Sequence, residues 1–226
     1  MSVQVLNRVV MFSALVRKKP VYVFGKRYDR YLAVVPGRSE AERILNELDG
    51  KVERKLKDVR LIESNRVFYI PSLTINVEMV KKDGTKRFRV NIPIDVGKQV
   101  EYKEVVIIGY LGEGDGTVKI VDSKTYNTVV IFEALVRDNG SIAVTIPAKY
   151  TELFTVGQTV SVDVIDINNK IKTVEGWVYI DKIKTVEGWV YSGGTTKDGR
   201  QMLLIKFRRE DMRDYLDREV PLIVKY

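Results

Sequence analysis

Two stretches of this chain, VVMFSALVR at 9–17 and VVIFEALVR at 129–137, agree at seven of nine positions. Each alternates apolar and polar residues with the period of a β-strand. So specific a repeat in a chain of 226 residues constrains the fold more than any single motif, because it implies one supersecondary unit used more than once. A turn, a β-rich segment and a short apolar–basic stretch follow each copy. These stretches, GKRYDRYL at 25–32 and PAKYTELF at 147–154, both read as short helices. A weaker copy runs from Val77 with its turn at Gly84, a strand ending in Ile92-Pro93 and a later Gly97-Lys98-Gln99-Val100. A fourth, near the C-terminus, has its turn at Gly199, its strand over 202–207 and its helix over 209–216. The expected turns fall near 19, 84, 140 and 199, a spacing of roughly sixty residues.

The rest of the chain supports a mainly β fold with short helices (α+β). Segments such as LTINVEMV, KRFRVNIPI and TVSVDVIDI alternate in the β period and are separated by Gly, Asn and Asp. Ser39 is a candidate N-cap with Glu42 at the capping-box position, and Gly50 is a stop signal. A helix is therefore expected near 39–49, as an insert. The Gly-rich LGEGDGT at 111–117 lacks the GxxxxGK[ST] spacing of a phosphate loop and reads as a turn or linker. Two domains follow: 1–111 with copies one and two, and 117–226 with copies three and four.

A second repeat differs in kind. NKIKTVEGWVYI at 169–180 precedes DKIKTVEGWVYS at 181–192 directly, so a strand-sized unit is duplicated in tandem and carries both tryptophans, Trp177 and Trp189. It reads either as an extended hairpin or as a pair of exposed aromatics that stack on a base or a partner protein.

Composition removes whole classes of chemistry. With neither cysteine nor histidine there is no disulfide, thiol nucleophile, Cys/His zinc site or histidine general base. Carboxylate pairs such as Asp163 with Asp166 read as solvated, and no catalytic residue, metal or cofactor is expected. No run is long and apolar enough to span a bilayer, the first residues read as a strand, and a cytoplasmic protein without a membrane partner is expected. Abundant Val, Ile, Lys, Arg and Glu resemble a thermophile's usage. The net charge of +8 favours anionic partners, nucleic acid first. Between Arg8 and Leu32 seven basic residues face one acidic residue, whereas between Val129 and Ile165 two face four, so positive charge concentrates at one end.

The segment 129–165 resembles the AbrB/MazE (SpoVT-AbrB-like) swapped-hairpin family: strand, glycine turn at Asn139-Gly140-Ser141, strand ending in Ile146-Pro147, short helix at 148–154, then Gly157-Gln158-Thr159-Val160-Ser161-Val162 into the last strand. The resemblance implies half-barrels that interlock. Here the copies would interlock within one chain, as tandem internally duplicated swapped-hairpin or cradle-loop-like β-barrels, in a monomer with intrachain pseudo-dimers or a homodimer. It also implies transcriptional regulation through double-stranded DNA, bound by basic residues near hairpin and helix start. By position these are Arg137 and Lys149 in copy three. Internal alignment adds Arg17, Lys18, Lys19, Lys26, Arg27 and Arg30 in copy one, Lys81, Lys82, Lys86, Arg87 and Arg89 in copy two, and Lys197, Arg200, Arg208 and Arg209 in copy four. Copy three has the best motif and the poorest charge, with Asp138 and Glu152 beside its basic residues, which suggests that copy one binds and copy three scaffolds. The competing reading is a non-catalytic adaptor subunit that docks a protein partner through Trp177, Trp189 and the 39–49 helix.

Overall fold

The computed structural model describes residues 8–112, 122–173 and 176–226, with side chains except at 167–182. The expected linker within LGEGDGT and the side chain of Trp177 lie outside the described residues. In chain order the elements are β1 (Arg8–Val23), β2 (Lys26–Val34), α1 (Glu40–Leu48), β3 (Lys55–Glu63), β4 (Arg66–Val80), β5 (Lys86–Ile92), α2 (Ile94–Gly97), β6 (Glu104–Leu111) and β7 (Asp122–Thr125). Then come β8 (Val129–Leu135), β9 (Arg137–Asp138), β10 (Ile142–Thr145), a 3₁₀ turn (Ala148–Leu153), β11 (Thr159–Thr173), β12 (Gly176–Thr195), β13 (Gln201–Phe207), α3 (Arg209–Met212) and β14 (Glu219–Lys225). Among the described residues no helix is long and apolar enough to cross a membrane.

The chain divides into two compact units, Met1–Thr125 with Asn168–Asp181, and Tyr126–Ile167 with Lys182–Tyr226. In the first, the sheet order is β3-β6-β1-β2-β5-β4-β7, and β3 also pairs with β4, so the sheet curls back on itself. Two long strands make this possible. Residues 8–15 of β1 pair with β6 and residues 16–23 with β2. In the same way β4 gives residues 66–74 to β3 and 75–80 to β5, with a register shift at Val77/Met79. A strand that changes partner half-way lets one sheet turn a corner without an exposed edge. In the second unit the order is β8-β14-β11-β12-β13-β10-β9, and only Val136 separates β8 from β9.

The repeated sequence sets the interior. On β1, Val10, Phe12, Ala14 and Val16 are buried; on β8 and just after it, Val130, Phe132, Ala134 and Val136 are buried. All four are identical between the copies, and the two mismatches, Met11/Ile131 and Ser13/Glu133, fall on the opposite face. Burying a side chain such as phenylalanine is worth about 1.5–3 kcal/mol, so packing accounts for what the repeat keeps.

Backbone hydrogen bonds recur as well. The Val16 N–H donates to the Lys103 carbonyl at 3.0 Å, and its carbonyl accepts from Tyr102 at 2.9 Å; Val136 does the same with Arg218 (3.0 Å) and Asp217 (2.9 Å), and Val190 with Gln158 and Gly157 (both 2.8 Å). The residues that donate to these carbonyls, Tyr102, Asp217 and Gly157, have φ of 58°, 57° and 87°. Further along, Val35 donates to the Phe88 carbonyl and Ile146 to the Leu203 carbonyl, each at 2.9 Å.

These bonds correct the expected alignment. Val35-Pro36 is the counterpart of Ile146-Pro147, so the counterpart of 147–154 is 36–49 and α1 is no insert. The expected helix at 25–32 is strand β2, and the first turn lies at Phe24-Gly25 instead of near Lys19. Lys18 and Lys19 are mid-strand. Val35 follows Val16 by 19 positions and Ile146 follows Val136 by 10, so the first hairpin is nine residues longer than its counterpart. The turns at Gly84, Gly140 and Gly199 lie where expected, with φ of 82°, 87° and 82°.

The expected helix at 39–49 forms as α1. Ser39 Oγ accepts from the Glu42 N–H at 3.1 Å, and the Glu42 carboxylate accepts from the Arg38 N–H at 2.7 Å, satisfying two amides at the helix start. Asn46 ties α1 to β5, donating to the Lys86 carbonyl at 2.9 Å and accepting from its N–H at 2.8 Å. Pro147 and Pro93 stand at the N-caps of their helical turns. The expected helix at 209–216 is α3 followed by a 3₁₀ turn at Arg213–Tyr215.

Candidate nucleic-acid interface

Beyond Val16 the β1–β2 hairpin continues as a two-stranded ribbon in the register Arg17↔Leu32, Lys19↔Arg30, Val21↔Tyr28 and Val23↔Lys26. Residues directly opposite in an antiparallel pair share a face. One face therefore carries Arg17, Lys19, Val21, Val23, Lys26, Tyr28 and Arg30. The other carries Lys18, Pro20, Tyr22, Arg27 and Asp29. The ribbon's one carboxylate is on this second face, 3.0 Å from Lys18 and 4.0 Å from Arg27. Its hydrogen bond with Lys18 raises that ammonium's pKa above the ordinary value. The first face has four cations and no acid of its own.

At its base that face runs into an open cleft of about 460 Å³, lined by Arg17, Lys19, Leu32, Glu78, Arg87 and Glu104 among others. Arg89 and Asn91 of β5 continue the same face, opposite Val34 and Leu32. Glu78, at the register shift of β4, lies 2.5 Å from Arg89 and 3.5 Å from Lys19. Burial raises the pKa of Glu78, but Arg89 and Lys19 outweigh it and leave the group below its ordinary range. Four buried polar atoms on this floor, Asn76 Nδ2, Arg87 Nε, Arg89 Nε and Asn91 Oδ1, have no hydrogen-bond partner among the described residues. Such capacity is uncommon in an interior that serves only stability.

The other sequence-selected cations are placed differently. Lys81 lies 3.1 Å from Glu42 and Lys86 bonds Asp49, so basic residues of the β4–β5 hairpin clamp α1, and Arg54, just before β3, lies 2.7 Å from Asp49. Lys86 first and Arg54 second hold the Asp49 carboxyl below its usual range. Lys82 is exposed at the adjoining turn. In the second unit Arg209 lies 2.7 Å from Asp138, the Lys149 ammonium sits 4.7 Å from the Tyr150 ring centroid, and Arg137 is exposed on β9. Arg208 lies over Trp189 at 5.8 Å and 3.9 Å from Glu187, and Lys206 lies over Tyr191 at 4.3 Å. Arg200 pairs with Asp198 at 2.8 Å. Arg17, Lys26, Arg30, Lys82, Arg87, Arg137 and Lys197 make no ion pair among the described residues.

Two expected surface carboxylates are in the interior. Asp163 is 0 % exposed, 2.7 Å from Lys225, and accepts from Thr185 at 2.7 Å; Asp166 is 1 % exposed and 2.5 Å from Arg218. Their counter-ions are Lys225 of β14 and Arg218 just before that strand, so each charge is paired as burial requires. Burial and the Asp166 charge push the neighbouring Tyr215 hydroxyl up to about 12. No group of three or more metal-ligating side chains occurs among the described residues.

The ribbon's aromatics are absent from the residues expected to bind. Tyr22, Phe24 and Tyr28 are 68 %, 101 % and 52 % exposed, and their interleaving with Lys26 and Arg27 was the available signal. No family model, curated protein or solved structure matches the chain.

Proposed function

We propose that the chain binds double-stranded DNA through the cationic face of the β1–β2 ribbon. One observation carries the reading: Arg17, Lys19, Lys26 and Arg30 share a face from which the ribbon's acid is excluded, and that face projects beyond the core. A two-stranded ribbon fits the major groove, and cations along one side meet phosphates. The recurring valine hydrogen bonds, the matched positive-φ positions and the crossed pairings, β1 with β6 and β3 with β4, support an AbrB/MazE-like pair of half-barrels interlocked within one chain. A role in transcriptional regulation follows from that resemblance.

Affinity measured against salt tests the reading. Four phosphate contacts give a log–log slope of about −3.6, and replacing both Lys26 and Arg30 by Gln lowers it by about two with unchanged thermal stability. A slope near zero for the wild type rejects it. An adaptor role is the second reading, favoured by the exposed Tyr191 beside Trp189 on β12. Capture of a protein partner that Trp189→Ala abolishes, with no duplex binding, would select it.

A further inference from the structure

The four hairpin turns of the repeated elements differ at one position. Three place Asp or Asn before the turn glycine: Asp83-Gly84, Asn139-Gly140 and Asp198-Gly199. These residues tolerate left-handed backbone and bond it locally, which is why such dipeptides dominate tight turns. The β1–β2 turn has Phe24-Gly25, with Phe24 at φ 49° and Gly25 at φ 76°. A bulky side chain at positive φ is disfavoured, and Phe24, 101 % exposed, gains no packing in return. The fold shows with three other hairpins that it does not need phenylalanine at this point.

The surroundings indicate what the ring meets. Tyr22 and Val23 lead into it, Lys26 and Arg27 stand in the first two cross-strand pairs behind it, and Lys19 faces Arg30 further down the ribbon, past Asp29. An apolar tip backed by cations matches the interior of a nucleic-acid groove, where a base stack lies between two lines of phosphate. We propose that Phe24 is a wedge that enters a base step of duplex DNA and kinks it, while the cations behind it hold the flanking phosphates. This rests on the reading of the ribbon as a duplex-binding element. The energy of unstacking is least at pyrimidine–purine steps, so the wedge favours TA and CA sites.

The probe is a duplex of about 30 base pairs with a central TA step, carrying 2-aminopurine beside the step and a fluorophore at each end. Full-length wild type is expected to raise 2-aminopurine fluorescence and to bend the duplex by about 20° or more. Phe24→Asn restores the turn chemistry of the other hairpins, so it folds with equal or higher thermal stability. It is expected to keep the salt slope, to bind roughly tenfold more weakly and to lose both the fluorescence rise and the bend. Phe24→Trp retains both. Unchanged bending and fluorescence in Phe24→Asn overturn the wedge and leave duplex binding standing. Absence of salt-dependent duplex binding by the wild type overturns both. Phe24-dependent binding to phosphatidylserine vesicles without duplex distortion overturns the proposal in favour of a membrane-surface tip.

Discussion

The β1–β2 and β9–β10 hairpins begin from the same residues, Val16-Arg17 and Val136-Arg137, and return to the same place, Val35-Pro36 and Ile146-Pro147. Between those points the first runs nine residues further, with exposed Tyr22, Phe24 and Tyr28 and a cationic face, whereas the second turns at once through Asn139-Gly140-Ser141. Four identical buried residues support both. Scaffold and projection are therefore separable, because the interior constrains one face of one strand and leaves the hairpin tip to vary in length and chemistry.

The most severe way to break the comparison is to make the two hairpins equal. Replacing residues 19–30 by Asn-Gly-Ser joins Lys18 to Tyr31 as Asp138 is joined to Ile142. The first unit should stay folded, since Val16, Tyr31, Ala33 and Val35 all remain. Affinity for duplex DNA near 0.1 M salt should fall by roughly two to three orders of magnitude, read by fluorescence anisotropy.

A smaller effect separates two glycines that the sequence aligns and the backbone bonds part: Gly97 lies in α2, whereas Gly157 stands where Tyr102 and Asp217 stand. A Cβ on Gly97 would lie 2.2 Å from Tyr31 Cγ, whereas Gly157 has open space and φ 87°. Gly97→Ala should cost about 1–3 kcal/mol by overpacking, and Gly157→Ala about 1–2 kcal/mol by backbone strain. Gly157→Asn should recover most of its loss because asparagine tolerates left-handed backbone, and Gly97→Asn should recover none; urea titration distinguishes them.

Single charges sharpen the contrast further. Arg30→Gln should reduce the salt slope of DNA binding by about one, and Arg137→Gln on the short hairpin should leave it unchanged. The mildest effect concerns acid. Asp49 has a lowered folded-state pKa, so its ion pairs with Lys86 and Arg54 stabilise the first unit above the ordinary aspartate range. That contribution declines as pH falls from about 4 through the lowered value. A melting-temperature series from pH 5 to pH 2 should be flatter for Asp49→Asn than for wild type.

Much of this was legible in the sequence, and the omissions have physical causes. Alternation gave the strands, the Ser39 cap gave α1, and three turn glycines fell in place because each of these signals is local. In KRYDRYL, Tyr28, Tyr31 and Leu32 stand at helical spacing, yet pairing with β1 across the Phe24-Gly25 turn holds them extended. Reading β2 as a helix takes Val35-Pro36 out of the alignment and makes α1 look like an insertion. Asp163 and Asp166 read as solvated in the sequence because their partners, Lys225 and Arg218, lie far along the chain. The same holds for Lys81 and Lys86: strand pattern shows them as cations but not that α1 brings Glu42 and Asp49 to meet them.

The exchange of partners along β1 and β4 has a mechanical corollary. Within the opening unit β1 is held by β6 and β4 by β3, so neither the run β1–β3 nor the run β4–β6 has all its strand partners within itself. A cut at the exposed Ser64-Asn65 turn would sever the chain without releasing a module, and the two pieces would stay clasped and melt together.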